Sequence, residues 1–204
     1  GLRNVPERHR SLRALFDHSW RLLSVEEQRV LRRLSLFRGG WTLDEAVAVA
    51  EATLPLLADL VDKSLVRTDS QGRFDLHELL RQYAMEQLTA SGEGERIRQR
   101  HFATYLQLAR MADAQLRGAA AAEWYARLDA ELDNIRAAWE WALATEQIVD
   151  AAWLGVALSH FWSVRLHFHE ATFWLEQLLP HRQRLLPDLR LATLRADDPV
   201  DQRL

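Results

Sequence analysis

The chain has 204 residues, of which 48% are hydrophobic, and a formal net charge of −3 at pH 7. This length fits two small domains with apolar cores, and the charge gives no general attraction to nucleic acids or anionic membranes. No cysteine is present, which excludes disulfides and thiolate metal sites and suits a reducing cytoplasm. No apolar run is long enough to span a bilayer. We therefore expect a soluble, cytoplasmic protein with no membrane partner.

The start of the chain predicts a linker followed by two helices. Residues 1–10 are polar and basic, which favours a linker, and the helical spacing of apolar residues over 12–23 predicts the first helix. Ser24 with Glu27 three residues later forms a capping box that predicts the start of the second. Since residue 1 is glycine and helical signals begin soon after it, we expect the chain to be a piece of a longer polypeptide.

The following segment predicts two more helices and a β-hairpin. Thr42 and Glu45 form a second capping box, and Pro55 suits the first turn of a fourth helix. Residues 65–68 and 73–76 flank a polar turn and predict two short antiparallel strands, after which helical spacing resumes. Helices followed by a two-stranded wing and another helix make a winged helix-turn-helix domain, which we place at residues 11–93.

The second half predicts long helices separated by short breaks, so the fold class is mainly α. We place a helical domain at residues 94–180, with helices over 95–117, 122–145, 148–165 and 168–179. Bulky tryptophans occur on successive helices, which is typical of packed helix pairs: Trp124, Trp139, Trp141, Trp153, Trp162 and Trp174. A closed bundle and a truncated helical repeat array both fit this pattern. Residues 181–204 predict a short helix and a C-terminal tail.

The junction between the second strand and the next helix carries the strongest functional signal. Phe74 and Leu76 share one face of the strand, so His77 points away from the core at the start of a helix. A helix start offers unpaired N–H groups and partial positive charge, and an imidazole beside it is a candidate phosphate sensor. The alternative is a histidine that merely caps its own helix.

The sequence predicts neither a catalytic site nor a metal site. Its glycines form no phosphate loop, dinucleotide fingerprint or nucleophile elbow, so this chain alone is not expected to hydrolyse a nucleotide. His77 and Glu78 lack the second histidine of a zinc-protease helix, because position 81 is Arg81. Two weaker groups are better explained as solvated surface: the cluster His160, His167, His169 and Glu170, and the carboxylate pair Asp129 and Asp133.

DNA binding by the winged helix is not favoured by its charges. The expected recognition helix, over 56–65, offers Lys63 against Asp59 and Asp62, whereas phosphates and base edges require several donors. Positive charge lies on the first two helices instead: Arg8, Arg10, Arg13, Arg21, Arg29, Arg32, Arg33 and Arg38. We expect this domain to provide an intramolecular docking surface, with a DNA-binding winged-helix transcription regulator as the alternative.

Several segments in order resemble one protein class. Phe74–Leu80 resembles the Met-His-Asp motif that closes the winged helix of STAND/NB-ARC signal-transduction ATPases, with Leu76 and Glu78 in place of Met and Asp. Further segments are similar to the bacterial branch of that class, which includes transcriptional regulators: 10–14, 18–24, 34–42 and 60–65. Residues 128–138 resemble the segment that leads into tetratricopeptide-like (TPR-like) helices. The resemblance covers residues 8–180.

The resemblance implies a nucleotide switch whose nucleotide-binding domain lies upstream. In that class the motif histidine contacts the β-phosphate of ADP, so His77 would clamp ADP in the intact parent. The phosphate loop and the magnesium-binding acid would lie before Gly1, so this fragment is expected to hold no cofactor, whereas the parent would use ADP or ATP with Mg²⁺. Exchange for ATP would release the winged helix, and helices 95–180 would bind a protein partner. We expect a regulatory fragment, not an enzyme.

Overall fold

The computed structural model describes residues 5–185, with side chains from residue 13 onward. The described part is mainly helical with a two-stranded antiparallel sheet, as the sequence predicts. The elements are α1 (Val5–Arg21), α2 (Val25–Leu34), α3 (Leu43–Ala50), α4 (Leu54–Asp62), β1 (Val66–Thr68), β2 (Phe74–Leu76), α5 (Glu78–Ala90), α6 (Gly94–Gln115), α7 (Ala121–Ala144), α8 (Ile148–Arg165) and α9 (Phe168–Leu178). A 3-10 turn at Leu179–His181 follows α9. No helix in this part of the chain is long and apolar enough to cross a bilayer.

Side chains that cap helices set the starts of α2 and α3. The Ser24 hydroxyl accepts the Glu27 N–H at 3.2 Å while the Glu27 carboxylate accepts the Ser24 N–H at 2.8 Å. Thr42 and Glu45 repeat the arrangement, with distances of 3.4 and 2.8 Å. Both predicted capping boxes are confirmed, and each satisfies N–H groups that a helix start leaves unpaired.

Helix α1 begins earlier than the sequence pattern indicates. Residues 5–10, predicted as linker, are its first turns. The polar residues there carry no apolar stripe to reveal a helix, and Pro6 is tolerated in a first turn, where its missing N–H has no partner to lose. Residues 1–4 lie outside the described part of the chain.

The wing is a short hairpin tied to the loop before α3. Val66 pairs with Leu76, and Thr68 with Phe74. Trp41 adds a bridge on the other side of Phe74, with reciprocal backbone hydrogen bonds of 2.9 and 2.8 Å. Gly40 makes this approach possible: its φ is +87°, and a Cβ there would lie 2.8 Å from the Phe74 carbonyl oxygen.

The core of the winged-helix domain lies between α2, α3, α4 and α5. Its buried apolar residues recur at helical spacing on the inner faces: Val30, Leu31, Leu34, Ala46, Val49, Ala50, Leu57, Leu60, Leu80, Ala84 and Leu88. Leu76 anchors the strand that leads into α5, and the Trp41 ring stacks on Phe37 at 5.2 Å. These positions fix where α4, the wing and the start of α5 lie.

The chain divides into two compact units between His101 and Phe102, inside α6. The predicted domain limits at 93 and 180 stay predictions. In the second unit, Trp174 stacks on Trp139 at 4.1 Å and meets Trp162 edge-on at 4.9 Å, which ties α7, α8 and α9 together. The four predicted helices are present within two residues of their expected bounds. Of the segment 181–204, residues 186–204 lie outside the described part.

A polar group lies in the core of the second unit. Glu131 is fully buried on α7, and its carboxylate accepts hydrogen bonds from the Tyr105 hydroxyl at 3.1 Å and the Asn134 amide at 2.8 Å. Buried polar groups are retained only when partners satisfy them, so this group joins α6 to α7 in a defined register.

Candidate functional site

His77 lies at the N-cap of α5, on the surface. Its Nδ1 accepts the N–H of Leu79 at 3.3 Å, so the neutral ring carries its proton on Nε2. That Nε2–H has no hydrogen-bond partner among residues 13–185. The capping role left open by the sequence is therefore observed. It occupies one ring nitrogen and leaves the other as a donor facing outward.

The acidic residue beside His77 is held by its own helix. Arg81 donates two hydrogen bonds to the Glu78 carboxylate, at 2.7 and 2.8 Å, and Gln82 donates a third at 2.7 Å. The hydrogen bonds from Arg81 are the main cause that lowers the pKa of Glu78 to about 2. Glu78 is thus ionised, and its charge is compensated by Arg81 rather than shared with His77.

Helix α4 follows α3 and precedes the wing, which is the position of the recognition helix in a winged helix-turn-helix. Neither α3 nor α4 contains a side chain that can donate a hydrogen bond. The helix ends at Asp62, three residues before the predicted end at 65, because Lys63 caps it and Ser64 adopts a φ of +57°. The Lys63 ammonium pairs with the buried Glu27 although the Lys63 side chain is 44% exposed, so its charge is already compensated. Burial alone would raise the pKa of Glu27, but hydrogen bonds from Lys63 and Ser24 outweigh it and lower that pKa.

The arginines of the first two helices form ion pairs within the domain. Arg13 pairs with Glu86 at 2.6 Å and Arg32 with Glu93 at 2.6 Å. Buried Arg33 binds Glu93 at 2.7 Å, and further pairs join Arg33 to Glu51 and Arg29 to Glu26. The side chains of Arg8 and Arg10 lie outside the described part. Much of the positive charge that the sequence offered to phosphates is therefore already neutralised.

Sequence reasoning missed the cluster around Arg33. Hydrogen bonds from Arg100 and Arg33 lower the pKa of Glu51 to about 2. Burial alone would raise the pKa of Glu93, but hydrogen bonds from Arg33 and Arg32 outweigh it and lower that pKa to about 2. One signal was available, since Arg33 occupies a core-facing position between Val30 and Leu34 and a buried arginine requires acidic partners.

The wing carries both signs of charge around an open groove of about 440 Å³. Arg67 pairs with Asp75 across the hairpin at 2.6 Å, and the Asp69 carboxylate accepts the N–H groups of Gln71 and Arg73. Asp69 therefore shapes the turn. His77 does not line this groove, so the wing and the helix start are separate features of the surface.

The weaker candidates in the second unit are surface ion pairs. Glu170 accepts two hydrogen bonds from Arg136, at 2.7 and 2.9 Å, and lies 3.9 Å from His167. Asp129 pairs with Arg165, while Asp133 pairs with Arg136. Within the described ranges no group of three acidic or histidine side chains could hold a metal ion. Each carboxylate of these groups thus has an arginine partner.

Comparison with known proteins identifies the first domain. Residues 23–89 match the winged helix-turn-helix domain family. Over 192 residues the chain is 38% identical to a predicted HTH-type transcriptional regulator of Mycobacterium tuberculosis (strain H37Rv), which covers 88% of this chain and 21% of the regulator. A relative from Mycobacterium bovis gives the same figures. An uncharacterized protein of M. tuberculosis is 37% identical over 109 residues, or 48% of this chain and 28% of that protein. No solved structure matches the chain.

The first two of these relatives are described as HTH-type transcriptional regulators. The chain spans 21% of the length of the curated relatives it matches first. The description of those relatives supports the predicted alternative, a winged-helix transcription regulator, better than the nucleotide-switch hypothesis. It also favours DNA binding, whereas the charges of α4 do not. The resemblances to STAND ATPases and to tetratricopeptide-like helices stay predictions. The chain thus contains a winged helix-turn-helix domain and is a homologue of mycobacterial HTH-type transcriptional regulators.

Proposed function

We propose that this chain is a regulatory and protein-interaction segment of a cytoplasmic transcriptional regulator, and that its winged-helix domain docks on protein instead of reading DNA. The observation that carries the proposal is the chemistry of α3 and α4. Their exposed faces present Asp44, Asp59 and Asp62 and no donor side chain. Base readout uses Arg, Lys, Asn and Gln, and DNA affinity rests on neutralising phosphates. Carboxylates on the recognition helix would oppose both.

Fluorescence anisotropy with a labelled duplex tests this proposal. At physiological salt the chain is expected to show no saturable binding tighter than the roughly 10⁻⁴–10⁻⁶ M typical of nonspecific contacts. Arg21→Glu removes an exposed cation and is expected to change nothing, with Glu123→Gln as a control in the second unit. Nanomolar binding that weakens steeply with salt would contradict the docking role.

DNA binding is the second candidate, favoured by the match to a winged helix-turn-helix family and by the description of the relatives. Because α4 offers no donors, we assign such binding to exposed arginines outside it, such as Arg21 and, at the wing, Arg67. It predicts that Arg67→Ala and Arg21→Ala each weaken duplex binding about equally for all sequences and reduce its salt dependence. The docking role predicts no effect of either substitution.

For the intact parent we propose in addition that His77 senses ADP bound, with Mg²⁺, to an upstream nucleotide-binding domain. The capped geometry supports this role, because the Leu79 N–H holds the ring and the Nε2–H points outward as a donor suited to a phosphate oxygen. Helices over 95–180 would then carry the signal to a protein partner. The nucleotide chemistry belongs to the parent, and this chain contributes the donor and its orientation.

Two substitutions separate sensing from capping. His77→Ala removes both the cap and the Nε2–H, whereas His77→Asn keeps a good N-cap and loses only the outward donor. In the full-length parent both are expected to weaken ADP binding and raise basal output, while only His77→Ala lowers thermal stability. Unchanged ADP affinity and basal output in both variants would rule out the sensor. The 204-residue chain alone is expected to bind neither ADP nor ATP at micromolar concentration in calorimetry.

A further inference from the structure

A small hollow lies between α8 and α9 in the second unit, and we call it the α8–α9 hollow. Its wall includes Gly155, Ser159, Trp162 and Ser163 from α8 and Phe168 and Ala171 from α9. The hollow has a volume of about 30 Å³. A single water molecule needs about 10–15 Å³ on the same scale, so the space admits a group of about three or four non-hydrogen atoms.

Gly155 leaves space in this wall at a cost to its own helix. It lies in the interior of α8, where glycine is less favourable than any residue except proline. Packing does not require a glycine here, because a Cβ would lie 3.7 Å from the Trp139 ring, which is an ordinary van der Waals distance. The missing side chain therefore relieves no close contact, and its structural effect is to leave the hollow open.

Trp162 brings a buried donor to the hollow. The residue is 4% exposed, and its Nε1–H has no hydrogen-bond partner among the residues that the structure describes. An indole nitrogen can only donate, and a buried donor without an acceptor is destabilising. The Trp139 Nε1–H is buried in the same way, but Trp139 does not line the hollow. Of these two donors, only that of Trp162 belongs to a residue that a molecule in the hollow would touch.

The lining of the hollow is uncharged. None of its eight residues is acidic or basic, and Ser163 donates its hydroxyl hydrogen to the Ser159 carbonyl of its own helix at 3.0 Å. A charged molecule would lose hydration here without gaining a counter-ion, whereas a neutral molecule with one acceptor would satisfy the indole donor. The chemistry of the wall therefore selects for a neutral ligand with an acceptor.

We infer that the α8–α9 hollow binds a small uncharged molecule, or the end of a larger one, whose hydrogen-bond acceptor pairs with the Trp162 Nε1–H. The apolar part of the ligand lies against Phe168 and Ala171, in the space that Gly155 leaves open. A ligand of about four non-hydrogen atoms gains little binding free energy in total, so we expect a dissociation constant in the millimolar range. This site goes beyond the docking role and the nucleotide sensor, and its failure would leave both unaffected.

The indole N–H resonances of the isotope-labelled 204-residue chain test the inference. Trp162→Phe and Trp139→Phe assign the two resonances that matter. Acetone is the probe, because it is neutral, has four non-hydrogen atoms and can only accept hydrogen bonds. Isobutene and acetate have nearly the same shape, but isobutene lacks the acceptor and acetate carries a charge. Acetone is expected to move the Trp162 resonance downfield in a saturable way and to leave that of Trp139 in place, whereas neither control compound gives this shift.

Gly155→Ala tests the position of the ligand. The added methyl group narrows the hollow and is expected to weaken acetone binding at least fivefold, while helix propensity keeps the thermal melting temperature unchanged or raises it. Gly118→Ala is the matched control in the second unit, since its Cβ would lie 3.5 Å from the nearest atom and Gly118 does not line the hollow. It is expected to leave acetone binding unchanged.

Three results would overturn the inference. The first is a Trp162 resonance that acetone does not shift, which would mean that the Trp174 ring already satisfies the indole N–H. The second is an equal downfield shift with isobutene, or an equal shift of the Trp139 resonance with acetone. The third is undiminished acetone binding by a folded Gly155→Ala variant. The first two comparisons use the unaltered chain, so they decide the inference whether or not the variant folds.

Discussion

Glu93 forms ion pairs with Arg32 and Arg33 in the last turn of α2. These pairs make the stability of the winged-helix domain depend on pH. The Glu93 carboxylate is mostly buried, and its pKa falls from an ordinary value of 4.5 to about 2. A lowered pKa in the folded state means that the contribution to stability is complete above the unfolded pKa and is lost as pH falls from about 4.5 towards 2. At about 1.4 kcal/mol per pKa unit, the shift corresponds to about 3 kcal/mol.

Glu93→Gln removes this charge while preserving the shape of the side chain. At pH 7 the substitution is expected to lower the free energy of unfolding by about 2–3 kcal/mol, because it also leaves buried Arg33 with Glu51 as its remaining carboxylate partner. At pH 2 the wild type has lost the same contribution, so the two proteins should converge. Urea unfolding between pH 2 and 7, followed by the resonances of α2 and α5, measures the difference without contributions from the second unit.

Glu86→Gln is the matched control. Glu86 pairs with Arg13 on the surface, where both side chains are more than half exposed, so its loss should destabilise the domain far less than the loss of Glu93. The reasoning is refuted if Glu93→Gln and Glu86→Gln have equal effects at pH 7. It is refuted equally if the wild type and Glu93→Gln lose stability in parallel below pH 5.

Three further predictions concern side-chain packing inside one or the other of the two units. Gly40→Ala should destabilise the winged helix by about 1–3 kcal/mol in urea unfolding, because its Cβ would meet the Phe74 carbonyl at 2.8 Å; an unchanged midpoint would contradict this. Tyr105→Phe removes a donor to buried Glu131 and should cost about 1–3 kcal/mol, and wild-type hydrogen exchange in α7 would argue against it. Trp174→Ala should cost about 3–5 kcal/mol and abolish the near-ultraviolet dichroism of its stacked pair with Trp139; retention of that signal would refute the packing.

Local signals explain how much of the fold could be predicted. The bounds of α8 agree at both ends because a nearly continuous apolar run lies between Gln147, which precedes the helix, and Leu166, where the backbone turns left-handed. The capping boxes of α2 and α3 were readable because both partners lie three residues apart. Pro55 lies in the first turn of α4, as predicted, but the Thr53 N-cap was not predicted because no glutamate follows three residues on to mark a capping box.

Long-range contacts explain what could not be predicted at the candidate site. The position of His77 at a helix start follows from the switch in periodicity, but the choice of Nδ1 as acceptor depends on backbone geometry that no spacing encodes. The pairing of Lys63 with Glu27 joins residues 36 apart in sequence, and that of Arg33 with Glu93 joins residues 60 apart. Such pairs form only in the folded arrangement of α2, α4 and α6. From the sequence alone, these basic residues therefore looked unpaired and able to contact DNA phosphates.

The match to a winged helix-turn-helix family does not conflict with a recognition helix that lacks donors. Buried residues of the helix determine the fold, whereas different, exposed residues determine what its surface can bind. Leu57 and Leu60 are buried on α4 and fix its place against α2, whereas Leu54, Ala58 and Asp59 face outward and play no part in that packing. A family comparison over residues 23–89 therefore recognises chiefly the pattern that makes the fold. The outward stripe can therefore vary without disturbing the core, which is compatible with the docking role that we propose for this helix.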